Sequence, residues 1–254
     1  SVTGADEVLL GKIANPLGPV SVTATAGDIS DETSAEGTAN ENISGTTVTL
    51  SAATGVGATG AANDIDTAAT TIVAADSSSG GIYISETDGV AVGATSTTAG
   101  AISITAGGVV TTSGNITAAG GALAITGVNV TNTNTITGDA NGISLNAGTG
   151  TLTSTAGNIT NGGSAGAISL IADTDIVLAG GAGAITGGSG NVTLKDSAGS
   201  VTIAIGGGTG TITIADADLD EISTTGAIII GDSNTGAIEV GGAVSIGSTA
   251  LNLI

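Results

Sequence analysis

The chain has 254 residues, with 22 Asp and Glu against two lysines, no Arg and a formal charge of −20. Such a surface repels DNA, RNA and anionic membranes, because counterion release and lipid attraction both need Lys and Arg. With no His and no Cys, the usual general base, the strongest nucleophile and any disulfide are missing as well.

Apart from Tyr83 the chain has no aromatic residue, and it has no Met, so Ile, Leu, Val and Ala alone must fill the core. That suits a narrow, regular core better than an irregular one. The 45 glycines do not fall at every third position, which excludes collagen. A hydrophobic share of 40 % with period-2 alternation excludes a disordered low-complexity chain. No run of 18 apolar residues is present, so no membrane insertion is expected. The start at Ser1, without Met or a leader, reads as a processed chain or a slice of a longer one.

In chain order, residues 1–45 are the least regular. Asn15-Pro16-Leu17-Gly18-Pro19 is a turn signal, and Val20-Ser21-Val22-Thr23-Ala24 alternates as a strand. Asp28 to Asn42 is polar and acidic and reads as a loop outside the core. Val48-Thr49-Leu50 resumes the strand pattern, and 51–80 has no clear register. Gly81-Ile82-Tyr83-Ile84 and Gly89-Val90-Ala91-Val92 are strands. From residue 99 one phrase recurs: Gly100-Ala101-Ile102-Ser103-Ile104, Gly142-Ile143-Ser144-Leu145, Gly166-Ala167-Ile168-Ser169-Leu170, Gly190-Asn191-Val192-Thr193-Leu194, Gly210-Thr211-Ile212-Thr213-Ile214 and Gly226-Ala227-Ile228-Ile229-Ile230. The central aliphatic steps from Ile143 to Ile168, Val192 and Ile212. A shorter phrase (Gly114-Asn115-Ile116-Thr117, Gly157-Asn158-Ile159-Thr160, Gly183-Ala184-Ile185-Thr186) supplies a second strand per turn. Gly and Asn are placed at corners, where positive φ is needed, and Asn115, Asn158 and Asn191 form a stacked ladder. No helix is expected.

Strands recurring at about 20–25 residues per turn define an all-β, parallel β-helix (β-solenoid). The regular stack is assigned to 46–254, continuous with the irregular turns of 1–45 as one elongated domain.

The Gly-Asn-Ile-Thr and Gly-Ala-Ile-Ser-Leu phrases resemble repeats of filamentous-haemagglutinin-like adhesins and related giant bacterial surface proteins. The segment from Leu10 to Ala24 resembles connector repeats of such proteins. The resemblance implies a right-handed β-helix, export to the extracellular bacterial cell surface, and a role as fibre or stalk. Repeats of that family carry no catalytic residues, so none transfer here.

Asp216, Asp218, Asp220 and Glu221 alternate, and in an extended segment they are the candidate Ca²⁺ ligands; no other cofactor is expected. Asp173 with Asp175, Asp64 with Asp66, and Asp28 with Asp31 and Glu32 are smaller versions. Gly187-Gly188-Ser189-Gly190-Asn191-Val192 lacks the Asp of a calcium nonapeptide, and Gly206-Gly207-Gly208-Thr209-Gly210 lacks the Lys-Ser/Thr of a phosphate loop. The alternating Thr131, Thr133, Thr135, Thr137 and Thr151, Thr153, Thr155 suit an ice-binding array, but fit ordinary outward strand positions as well. Ala250-Leu251-Asn252-Leu253-Ile254 ends in strand pattern without a cap, which marks Leu251, Leu253 and Ile254 as the end-to-end stacking interface with another copy or a neighbouring repeat. The reading is a non-catalytic structural segment of a fibre or adhesin stalk. A binding module for ice, carbohydrate or a divalent cation is the alternative, and a polysaccharide-active enzyme comes last.

Overall fold

The computed structural model describes residues 1–32, 40–247 and 249–254. It is all-β apart from one short helix, and its strands pair in parallel from turn to turn. The chain forms a parallel β-solenoid in two compact units, Ser1–Ile125 and Thr126–Ile254.

Within the first unit, Val2 pairs with Val22, Val22 with Leu50, Val48 with Ile72, Ile72 with Val92 and Val90 with Val110. These pairings correspond to turns of 20 to 28 residues. The long strands Ile43–Ala52, Ile65–Ser77 and Val90–Ala106 run through more than one column of pairings, so the same strand serves two sides of a turn. Of the expected outer loop 28–42, Asp28–Asp31 is instead a strand paired with Val8–Leu10, and Ile29 and Asn42 are wholly buried. Residues 33–39 of that loop lie outside the described residues.

The second unit has three strands per turn, not two. One column stacks Ile143, Ile168, Val192, Ile228 and Leu251. A second stacks Val130, Leu152 and Ile176, and a third Ile136, Ile159, Ile185 and Ile222. The expected step from Val192 to Ile212 is not made: Val192 pairs with Ile228, 36 residues on. Ile212 lies in a separate sheet where Ile203–Ile205 pairs with both Ile212–Ile214 and Ile238–Val240. The enlarged turn therefore holds an extra strand, and Asp216–Leu219 is a helix where none was expected.

Alternation supplies the core. In Val20–Ala24 and Ile82–Glu86 every second side chain is buried, and in Ile143–Asn146 Ile143 and Leu145 point in while Ser144 and Asn146 point out. The stacked Ile, Leu and Val are nearly all at most 2 % exposed. Burying each contributes about 1.5–3 kcal/mol, and the same aliphatic column continues from one rung to the next.

Gly142 and Gly183 stand at positive φ, as the corner reading expects, but three other glycines that open the repeat have a different cause. Gly166, Gly190 and Gly226 are not at positive φ. A Cβ on Gly190 would sit 2.0 Å from the Gly166 carbonyl oxygen, and one on Gly226 would sit 2.6 Å from that of Gly190. Each corner rests directly on the backbone of the previous turn, leaving no room for a side chain. Positive φ belongs to other corners, such as Gly206 and Gly207 of the Gly-rich run, which is a bend between two strands.

Candidate functional site

The four carboxylates proposed for Ca²⁺ do not converge. The short helix puts Asp216 and Asp218 about 200° apart around its axis, where an extended strand would have aligned them. Asp216 Oδ1 accepts the Ser245 amide at 2.6 Å, Asp218 Oδ2 the Ala215 amide at 2.7 Å, and Glu221 Oε2 the Gly180 amide at 2.9 Å. Asp220 closes the helix and is exposed. Burial, and secondarily the charges of Glu221 and Asp175, raise the Asp218 pKa against the pull of its amide bond. Asp216 and Glu221 thereby tie the enlarged turn to its neighbours, while the Asp218 bond stays within the turn. Among the described residues no group of three or more His, Cys, Asp or Glu is arranged to hold a metal ion.

Asp173 and Asp175 also serve backbone amides. Asp173 Oδ1 accepts Ser197 N at 2.6 Å, and Asp175 Oδ1 accepts both Ile176 N and Thr213 N at 3.0 Å. The Thr213 bond fastens the extra strand Ile212–Ile214 to the turn before it.

A tighter acidic group lies in the first unit. Asn42, wholly buried, donates to Asp31 Oδ1 at 2.6 Å and accepts the Asp66 amide at 2.8 Å. Burial and the charges of Asp66 and Asp31 push Asp64 up to about 6. Three carboxylates from two sequence-distant strand segments thus share one half-buried environment. Asp64 with Asp66 was visible as a sequence pair, but Asn42 at its centre was not.

Glu86 was missed altogether. It is 2 % exposed at the end of Ile82–Glu86, and its carboxylate accepts the Thr67 hydroxyl at 2.6 Å and the amides of Ala69 and Asp88. Burial raises its pKa, and the three donors oppose that rise. Position 86 continues the inward alternation of Ile82 and Ile84, which was the available signal. An open groove of about 260 Å³ lies over it.

The corner asparagines Asn115, Asn158 and Asn191 are exposed; Asn158 precedes the column of Ile159 and Asn191 that of Val192, so the three form no common ladder. The wholly buried asparagines are Asn42, Asn132 and Asn161. Asn161 Nδ2 donates to Gly166 O at 2.5 Å and Gly187 O at 2.7 Å, joining successive turns. Threonines do stack on one column, where Thr137, Thr160 and Thr186 are in register and Ser223 follows. The hydroxyls of Thr160 and Thr186 bond to backbone groups of their own corners. Tyr83 is half-buried on an outward position.

At the C-terminal strand Ala250–Leu253, Leu251 and Leu253 continue the inner columns of Ile228 and Ile230. Leu253 is 44 % exposed and Ile254 58 %, whereas Ile230 is fully buried. Among the described residues nothing pairs with the strand's other edge. Val2 is likewise 40 % exposed, one rung before the fully buried Val22.

No family model matches the chain, and no curated protein or solved structure matches it either. Among the described residues no helix is long and apolar enough to cross a membrane.

Proposed function

We propose that this chain is a non-catalytic structural segment of an extracellular bacterial fibre or adhesin stalk, of the filamentous-haemagglutinin-like kind, and that its end strands join the turns of another copy or of neighbouring repeats. The observation that carries this reading is the inner column at Ala250–Leu253: apolar positions buried in the turns below are partly exposed in the last, beside a strand edge that is unpaired among the described residues. A further turn in the same register would bury Leu251 and Leu253 and satisfy that edge. Two properties of the chain support a structural over a catalytic role. It has no His, Cys or Arg, and the carboxylates that sequence brought together are spent on backbone amides that hold turns in place.

The test is cryo-electron microscopy at high protein concentration, with and without a calcium chelator. Filaments with an axial repeat of about 4.8 Å in both conditions support the reading. Filaments lost on chelation would transfer the joint to a calcium site, and separate particles in both conditions would refute end-to-end joining.

A further inference from the structure

Neither backbone conformation nor burial explains the corner asparagines. Among the described residues Ser200 is the only non-glycine residue at positive φ, and Asn115, Asn158 and Asn191 are exposed. Neighbouring turns carry other residues at the same corners. Register sets Asn158 between Thr135 and Ala184, and Asn191 between Ala167 and Ala227. The fold therefore accepts alanine where these asparagines stand. The Asn158 side chain bonds to nothing among the described residues. Asn191 uses only Oδ1, which accepts the Ala227 amide at 2.9 Å, and its Nδ2 is unengaged.

What the three corners share is a triplet: Asn-Ile-Thr at 115–117 and 158–160, and Asn-Val-Thr at 191–193. Asn-x-Ser/Thr is the acceptor pattern for N-linked sugar, a bulky group that only a surface position can carry. The pattern also begins at Asn42 and Asn129, and geometry separates those two from the corners. Asn42 is wholly buried, and its Nδ2 is taken by Leu10 O and Gly11 O at 3.3 Å and by Asp31 Oδ1 at 2.6 Å. Asn129 is half-buried, and its Oδ1 accepts the Thr151 amide at 2.7 Å. At the corners only the middle residue is buried: Ile116, Ile159 and Val192 face the core, while Thr117, Thr160 and Thr193 take the outward strand positions. An extended chain rises about 3.3 Å per residue, so the Asn amide and the Thr hydroxyl stand on one open side, about 7 Å apart. A transferase that reads Asn-x-Thr can reach both groups there without opening a turn.

We propose that Asn158 and Asn191, and with them Asn115, are attachment sites for N-linked sugar. The substrate class is a sugar activated at C1 by a diphosphate leaving group. Asn Nδ2 attacks C1, the C1–Nδ2 bond forms as the C1–oxygen bond breaks, the diphosphate leaves with the electron pair, and Nδ2 gives up one proton to a base of the transferase. The Asn191 Oδ1 bond to Ala227 is untouched by this exchange, and a sugar at an outer corner covers no strand edge.

The full chain is isolated from the cells that produce it naturally, and its peptides are mapped by electron-transfer mass spectrometry. Sugar is expected on Asn158 and Asn191 and none on Asn42. A single sugar marks a nucleotide-linked donor, and a preassembled oligosaccharide marks a lipid-linked one. In the same cells Thr160→Ala should lose the sugar at Asn158 and keep that at Asn191, Thr193→Ala should do the reverse, and Thr193→Ser should retain both. Unmodified asparagine at both 158 and 191, sugar on Asn42 to the same extent as on the corners, or sugar that persists in the Thr→Ala variants would each overturn the proposal.

Discussion

Asp64 shows how a buried carboxylate sets the pH response of this chain. Its pKa rises from 3.8 to about 6, first because burial penalises the charge and then because Asp66 and Asp31 repel it. The folded state therefore holds a proton that the unfolded state releases near pH 3.8. Stability is favoured below that value and falls as pH rises through about 6. Glu86 and Asp218 are raised as well and act in the same direction, while Asp232, lowered first by its hydrogen bond to Lys195, acts in the opposite one. Urea unfolding should give a lower midpoint at pH 7.5 than at pH 5, and Asp64→Asn should reduce that difference. A midpoint rising over that range in the parent chain would contradict this account of the cluster. The two kinds of asparagine separate equally clearly. Asn161→Ala removes both bonds that link Gly166 and Gly187, at an expected cost of about 2–3 kcal/mol. Asn158, exposed at its corner, should change stability by less than about 0.5 kcal/mol when replaced by Ala. Equal losses in denaturant melts of the two variants would show that the inward position is not what matters.

Among the elements, the glycine corners are the most constrained. Gly190 faces the Gly166 carbonyl oxygen at 2.0 Å from an ideal Cβ, so Gly190→Ala must push two turns apart and should cost about 3 kcal/mol or more, the upper end of overpacking. Gly181 has φ +90° but nothing within 4 Å of its Cβ position, so Gly181→Ala meets only backbone strain of about 1–2 kcal/mol. Thermal melts that rank the two the other way would sink the close-approach explanation. This distinction was not legible in the sequence, because a glycine needed for positive φ and one needed for close approach look the same. The alternation was legible, because a strand's period of two assigns Ile168 and Leu170 inward whatever the pairing. Pairing itself was not. Gly210-Thr211-Ile212-Thr213-Ile214 repeats the local phrase without fault, yet Ile212 joins Ile203 and leaves Val192 to Ile228. Asp216 to Glu221 alternates as a strand would, but Leu219 is the one large apolar residue from 216 to 221 and is buried, while early aspartates favour a helix start. With that change of element Asp216 and Asp218, candidate Ca²⁺ ligands, no longer share one side of an extended segment. The Glu86 groove went unread because its parts come from strands far apart in sequence.

For the whole molecule, charge and edge pairing pull against each other. A chain of net charge −20 repels its own copies, so the proposed growth through the open column at Leu251 and Leu253 would depend on screening. The Debye length shrinks from about 10 Å at 0.1 M salt to about 3 Å at 1 M, which leaves the short-range gain from covering apolar positions almost intact. Light scattering at fixed protein concentration should therefore increase with sodium chloride. Leu253→Asp places a carboxylate in the inner column on a side chain already 44 % exposed. The monomer loses little by this change, and its melting temperature should move by only a few degrees. A second copy docking there would have to bury that charge unpaired, which costs far more than the leucine gained. Growth should therefore stop in Leu253→Asp at every salt concentration while the fold persists. Filaments that grow undiminished from this variant would place the joint elsewhere on the surface.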